Sequence, residues 1–98
     1  MPDNHSPEPF YSLARSAQGF IFLSAFGPVD EQMQIVGTTI EDQTRACMEA
    51  MGRALASEGA GFDDLLCVEV FLTDLEERDG FNAIYASYFG ERKPARRL

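Results

Sequence analysis

The stretch that decides the fold is Leu65-Leu66-Cys67-Val68-Glu69-Val70-Phe71-Leu72, which lies between two helix-like patterns. Successive side chains of a strand point to opposite faces. One set of alternate positions is entirely apolar: Leu66, Val68, Val70 and Leu72. The other set holds Cys67, Glu69 and Phe71. The run therefore predicts a β-strand over residues 65–72, and Glu69 indicates that its second face is either solvated or part of a subunit contact.

A helix pattern precedes this strand. Thr39 followed by Asp42 is typical of an N-terminal cap, and Gly59 supplies a stop. Between them one apolar stripe recurs at spacings of three and four: Cys47, Met48, Met51, Ala54 and Leu55. The pattern predicts a helix over residues 40–58, with the methionines in the core.

A second helix pattern follows the strand. Apolar residues recur at i, i+3, i+4, i+7 and i+8, namely Phe81, Ile84, Tyr85, Tyr88 and Phe89. Gly90 then ends the pattern. We therefore expect an amphipathic helix that returns the chain to the sheet.

The beginning of the domain predicts a β-hairpin. Apolar runs at residues 10–14 and 20–25 flank a turn in which Gly19 offers a positive φ. The second run is apolar on both faces, so we expect protein to cover both. The order is then β-β-α-β-α, an α+β fold in which a mixed sheet packs on two helices. A right-handed crossover through the first helix would join the second strand to the third. Apolar faces and unpaired strand edges favour association.

Size and charge limit the function. The 98 residues are expected to form one domain over residues 10–98, after a flexible segment at residues 1–9. Sixteen acidic against eight basic residues oppose nucleic-acid binding. No apolar run approaches the ~20 residues of a membrane helix, and no secretory signal is recognisable. Cys47 and Cys67 suggest free core thiols in a reducing compartment, so we expect a cytoplasmic protein without membrane association.

Catalytic groups are few. His5 is the only histidine and lies in the N-terminal segment, which argues against a metal site or a histidine-based triad. No glycine pattern resembles a phosphate loop, and no cofactor is expected. Positive charge gathers at the end, where Arg92, Lys93, Arg96 and Arg97 are four of the eight basic residues. The guanidinium fork of Arg96 suits a carboxylate or phosphate, although a solvated side chain is the alternative.

The chain resembles the RidA family, also called YjgF or L-PSP proteins, from Phe10 to Arg96. The resemblance is carried by Phe10-Tyr11-Ser12, Glu41-Asp42-Gln43-Thr44-Arg45, residues 64–74 ending in Val70-Phe71-Leu72-Thr73-Asp74, Asn82-Ala83-Ile84-Tyr85, Tyr88-Phe89 and Lys93-Pro94-Ala95-Arg96. It implies a chorismate-mutase-like α+β fold and a homotrimer with small-molecule sites in the clefts between subunits. The implied reaction is hydrolysis of reactive 2-imino acids, formed from enamines, to 2-keto acids and ammonia. The alternatives are a catalytically weak ligand-binding or regulatory member and, disfavoured by the acidic balance, an endoribonuclease.

The resemblance also implies roles for individual residues. Arg96 matches the arginine that grips the substrate carboxylate, and we expect it to begin an anion-binding strand. Tyr11 matches the tyrosine that lines the cleft, and it and Arg96 are the expected catalytic residues. Ser24, Ala25 and Asn82 join Arg96 as expected substrate-binding residues, although Tyr11 and Asn82 have structural alternatives as a hairpin cover and a backbone cap.

The sequence departs from the family at three points. Ser24-Ala25-Phe26 replaces the family's Ser-Gly-Gln, and Arg97 adds a charge near the expected site. The family's last two strands are missing, and no residue matches the glutamate there that helps to position water. Glu69 is a hypothetical substitute for that glutamate.

Overall fold

A computed structural model describes residues 11–98, so the predicted flexible segment at residues 1–9, His5 and Phe10 lie outside the described residues. The elements are β1 (Ala14–Ala17), β2 (Phe20–Leu23), α1 (Ile40–Ser57), β3 (Cys67–Glu69), α2 (Arg78–Ala86) and β4 (Ala95–Arg97). Short 3₁₀ turns at Phe62–Asp64 and Leu75–Glu77 precede β3 and α2. The predicted β-β-α-β-α order is confirmed, and β4 adds the expected strand at Arg96.

The hairpin forms as the sequence predicts. β1 and β2 pair antiparallel from Ala14 opposite Leu23 to Ala17 opposite Phe20. Gln18 and Gly19 make the turn with φ of 56° and 80°. Two positive φ angles are typical of a type I′ turn, whose twist matches that of the strands. The turn therefore fixes the register of the hairpin.

Helix α1 begins at the predicted cap. The Thr39 hydroxyl oxygen accepts a hydrogen bond of 3.1 Å from the backbone N–H of Asp42, which satisfies one of the orphan donors of the first turn. The helix ends at Ser57, and Gly59 follows with φ 76°. Its buried face includes Met48, Ala54 and Leu55, so most of the predicted stripe is confirmed.

The core lies between α1, α2 and β3. Its buried members are Met48, Val68, Phe81, Tyr85 and Phe89. Tyr85 and Phe89 pack with ring centroids 4.9 Å apart. At Gly80, a Cβ atom would lie 2.6 Å from a carboxylate oxygen of Glu41 and 2.8 Å from Ile40. Glycine therefore lets the start of α2 approach the start of α1 closely.

The strands form two sheets. β1 and β2 form an antiparallel pair, and β3 and β4 form a parallel pair. The α+β class with both strand orientations is confirmed, but β2 and β3 lie in different sheets, so α1 does not make the expected crossover within one sheet. β3 instead bonds to β4, through the N–H of Ala95 to Leu66 O at 3.0 Å and the N–H of Val70 to Arg97 O at 2.8 Å.

Phe22 is 68% exposed, so residues 11–98 of one chain do not supply the predicted protein cover on both faces of β2. Phe71 is 84% exposed, as the prediction of a solvated face or a subunit contact allows. Two local expectations are wrong within the described chain. Leu66 is 75% exposed, although the alternation predicts that it shares a face with buried Val68. Cys67 is exposed rather than in the core, whereas Cys47 is half-buried, and both thiols are free. No helix within residues 11–98 has the length and apolar character needed to span a bilayer.

Candidate functional site

Arg96 meets Asn82 where β4 passes α2. In the parallel register Arg96 lies beside Val68, a core residue. Its Nη1 donates a hydrogen bond of 2.7 Å to Oδ1 of Asn82. The guanidinium carbon also lies 5.0 Å from the ring centroid of Tyr85 and 5.8 Å from that of Phe81, within the range of cation–π attraction. The amide and the two rings therefore hold the guanidinium in one place.

A cleft opens beside this group, and we call it the Arg96 cleft. Its volume is about 280 Å³, slightly below that of pockets that take drug-sized ligands. The lining residues are Asn82, Tyr85, Ala86, Phe89, Lys93, Pro94 and Arg96. Within the described part of the chain this lining contains two cations and no acidic residue, although the net charge of the chain is −8. A small anion with an apolar portion matches such a cleft.

Tyr85 contributes a hydroxyl without a partner. The residue is only 8% exposed, and its Oη makes no hydrogen bond within residues 11–98. Burial raises the pKa of Tyr85, nearby Arg96 partly opposes this rise, and Cys67 adds to it. The hydroxyl therefore stays protonated at neutral pH and remains a potential hydrogen-bond donor.

Two other basic residues, Lys93 and Arg97, lie close to Arg96 in sequence and differ in whether they line the cleft. Lys93 lines the cleft, and its Nζ donates a hydrogen bond of 2.9 Å to the carbonyl oxygen of Gly90. Arg97 pairs instead with Glu69, at 3.8 Å, and neither of these two residues lines the cleft. The charge of Arg97 is therefore directed to Glu69, and the position of Glu69 gives no support to the hypothesis that it positions water there.

The predicted site residues separate into two groups. Arg96 and Asn82 meet, as described above. Tyr11, Ser24 and Ala25 do not line the Arg96 cleft, and their roles stay predictions. Tyr11 is 56% exposed, and the Ser24 hydroxyl donates to the Ala25 carbonyl oxygen at 3.3 Å.

Two polar residues of the cleft lining, Tyr85 and Lys93, are not among the predicted site residues. Tyr85 follows Asn82 by three positions, and residues at this spacing are neighbours on a helix surface. This spacing is the signal in the sequence that points to Tyr85, which the apolar periodicity places in the core. Lys93 precedes Arg96 by three positions in an irregular segment, where no periodicity predicts that both side chains reach the same cleft.

The chemistry of the cleft is that of anion binding. Arg96 has five N–H donors, one of which Asn82 occupies, so a bidentate contact with a carboxylate is compatible with the remaining donors. No carboxylate or imidazole lines the cleft within residues 11–98. The described residues thus form an anion-binding site, but they include no carboxylate or histidine in the cleft that could act as a general base.

Known proteins share this sequence and fold. A family model described as Endoribonuclease L-PSP matches residues 3–98. A RutC family protein of Pyrococcus horikoshii is 38% identical over 95 residues, which cover 94% of this chain and 75% of that protein. The chloroplastic Reactive Intermediate Deaminase A of Arabidopsis thaliana is 36% identical over 87 residues, which cover 88% of this chain and 46% of that protein.

A solved structure agrees with these matches. The crystal structure of yeast Mmf1 superposes with a TM-score of 0.87 at 28% sequence identity, covering 93% of this chain and 73% of that chain. The resemblance noted in the sequence thus extends to the arrangement of the helices and strands. The chain belongs to the endoribonuclease L-PSP family, the family of the RidA, YjgF and RutC proteins.

Proposed function

We propose that this protein binds small 2-imino and 2-keto carboxylates through Arg96, and that it hydrolyses reactive 2-imino acids to 2-keto acids and ammonia. The observation that carries the proposal is the Arg96 cleft. A guanidinium oriented by Asn82 and two aromatic rings lies in a small cleft to which residues 11–98 contribute no acidic side chain. The name of the Arabidopsis relative, Reactive Intermediate Deaminase A, supports this choice of substrate.

The reaction requires little machinery. The imine carbon is already electrophilic, so a water molecule adds to it, the carbon–nitrogen bond breaks, and the products are a 2-keto acid and ammonia. Arg96 would fix the substrate carboxylate and thereby reduce the entropy cost of the encounter. Tyr11 would contact the substrate from the opposite side of the cleft and assist the proton transfers.

The proposal includes a homotrimer with the clefts between subunits. Large apolar side chains are exposed on the single chain, among them Phe20, Phe22 and Phe71. Large apolar side chains exposed on a single chain favour association. A neighbouring subunit would then bring Tyr11, Ser24 and Ala25 to the cleft that Arg96 and Asn82 line.

The two free thiols favour a reducing compartment such as the cytoplasm.

A second candidate is a ligand-binding or regulatory protein with weak catalysis. The observation that favours it is the absence of any carboxylate or imidazole from the cleft lining within residues 11–98. Without such a base, water would add slowly even to a well-bound imine. Ribonuclease activity, which the family description names, has less support, because a net charge of −8 opposes phosphate binding.

The test measures ammonia release from freshly generated 2-iminobutanoate, together with the binding of 2-oxobutanoate. We expect the wild type to accelerate release, Arg96→Gln to lose both activities, and the matched control Arg97→Gln to keep both. Binding that depends on Arg96 without accelerated release would establish the second candidate. If neither ligand depends on Arg96, both candidates are wrong, and cleavage of a single-stranded RNA by the same samples would support the ribonuclease.

A further inference from the structure

The Arg96 cleft holds two cations that have no acidic partner among residues 11–98. Within residues 11–98, the ion pairs join Arg45 to Asp42 and Arg97 to Glu69. Among the described side chains, Arg96 donates to the neutral amide of Asn82, and Lys93 donates to a backbone carbonyl oxygen. Both residues line the same cleft. An anion bound in this cleft would be attracted by both positive charges.

Lys93 is held close to the cleft. Its ammonium group donates to the Gly90 carbonyl oxygen at 2.9 Å, which leaves two of its three donors for other acceptors. Pro94 follows it and also lines the cleft, and proline restricts the backbone both at its own position and at the preceding residue. The short segment from Lys93 to Arg96 therefore carries both charges with limited freedom.

The acidic residues lie elsewhere. The chain has sixteen acidic and eight basic residues, yet no acidic residue among residues 11–98 lines the cleft. One cation is enough to hold the carboxylate of a simple 2-imino acid. A second unpaired cation, in a cleft of about 280 Å³, matches a second negative group on a ligand of small size.

We propose that the Arg96 cleft prefers dianions, in particular 2-keto or 2-imino dicarboxylates. Arg96 binds the carboxylate next to the reacting carbon, and Lys93 binds the carboxylate at the far end. The inference rests on the proposed function and specifies its substrate class. The apolar walls of Ala86 and Phe89 accommodate the methylene groups between the two charges.

Two ligands of equal chain length test the preference. 2-Oxopentanedioate and 2-oxopentanoate differ in whether the chain ends in a carboxylate or a methyl group. Their dissociation constants would be measured by calorimetry for the wild type, Lys93→Met and Arg92→Met. Arg92→Met serves as the control, because Arg92 is exposed and does not line the cleft. We expect the wild type to bind the dianion about two- to fivefold more tightly, as for a single exposed ion pair.

The variants give the decisive comparison. Lys93→Met should abolish the preference while changing the dissociation constant of 2-oxopentanoate by less than about twofold, and Arg92→Met should keep the preference. Higher salt should reduce the preference as well. A wild type without preference, or a preference that survives Lys93→Met, would overturn the inference. In that case, binding of 2-oxopentanoate that is lost in Arg96→Gln would still support the anion-binding part of the proposed function. If the wild type bound neither ligand, both this inference and the proposed function would be wrong.

Discussion

Nη1 of Arg96 lies 2.7 Å from Oδ1 of Asn82, a hydrogen bond that joins β4 to α2. The acceptor is a neutral amide, so it orients the guanidinium without cancelling its charge. A carboxylate at the same position would form an ion pair and compete with an anionic ligand. An amide rather than a carboxylate at position 82 thus leaves the positive charge of Arg96 available to bind an anion.

Two substitutions of Asn82 distinguish its role in orienting the Arg96 guanidinium from its effect on the charge of the site. Asn82→Ala should weaken the binding of 2-oxopentanoate by about three- to tenfold, because the guanidinium loses its fixed direction. Asn82→Asp should weaken it more, because the new carboxylate pairs with Arg96. Calorimetric titration of the two variants checks the order, and equal affinities would show that the amide does not control the charge of the site.

The two tyrosines of the second helix pattern differ in their hydroxyl groups. The Tyr85 hydroxyl is buried and has no partner within residues 11–98, whereas the Tyr88 hydroxyl donates to Oε2 of Glu49 at 2.8 Å. Tyr85→Phe should therefore leave the free energy of unfolding unchanged or raise it by up to about 1 kcal/mol. Tyr88→Phe should lower it by about 0.5–1.5 kcal/mol.

Urea unfolding at one protein concentration compares these variants. The two substitutions remove the same atom, so each serves as the control for the other. A loss of stability in Tyr85→Phe as large as that in Tyr88→Phe would mean that another subunit or residues 1–10 supply a partner for the Tyr85 hydroxyl.

The two cysteines should react at different rates with iodoacetamide. Burial raises the pKa of Cys47, and the thiolate is the reactive form. At pH 8 the raised pKa lowers the thiolate fraction of Cys47, and burial restricts its access. Cys47 should therefore react about tenfold more slowly than exposed Cys67 or slower still. Its rate should continue to rise as the pH increases above 9.

Single-cysteine variants assign the two phases by mass spectrometry. Cys67→Ser should remove the fast phase, and Cys47→Ser should remove the slow one. Equal rates at the two positions would contradict the difference in exposure or indicate that an interface covers Cys67.

The exposed aromatic face of β2 should control assembly. Phe22→Glu would place a charge within the apolar contact that we propose between subunits, so sizing chromatography should show a shift from trimer towards monomer. Ala56→Glu adds the same charge at an exposed position of α1 and should remain trimeric. A wild type that is monomeric at micromolar concentrations would contradict the trimer directly.

Local patterns predicted the elements but not all of their partners. The cap at Thr39, the turn at Gly19 and the stripe containing Met48 depend on residues close in sequence, and each formed as expected. The strand predicted over residues 65–72 is only Cys67–Glu69, because β4 offers only three residues as its partner. Strand length therefore depends on a segment distant in sequence, which local alternation does not encode.

The site shows the same division. The guanidinium chemistry of Arg96 and the resemblance predicted an anion site that includes Asn82. The alternation of side chains around Val68 predicted two opposite faces of the strand. It did not predict which side chains a single chain leaves exposed, and both Leu66 and Phe71 are exposed. Lys93 reaches the cleft through an irregular segment whose path depends on tertiary packing.

Gly80 lies where the first turns of the two helices approach each other, away from the cleft lining. A Cβ atom there would meet the ends of the Glu41 and Ile40 side chains, which must move aside or shift the start of α2, the helix that carries Asn82 and Tyr85. The contact between the two helices is therefore coupled to the residues that line the cleft. Gly80→Ala thus changes the packing behind the cleft while it keeps every residue of the cleft lining.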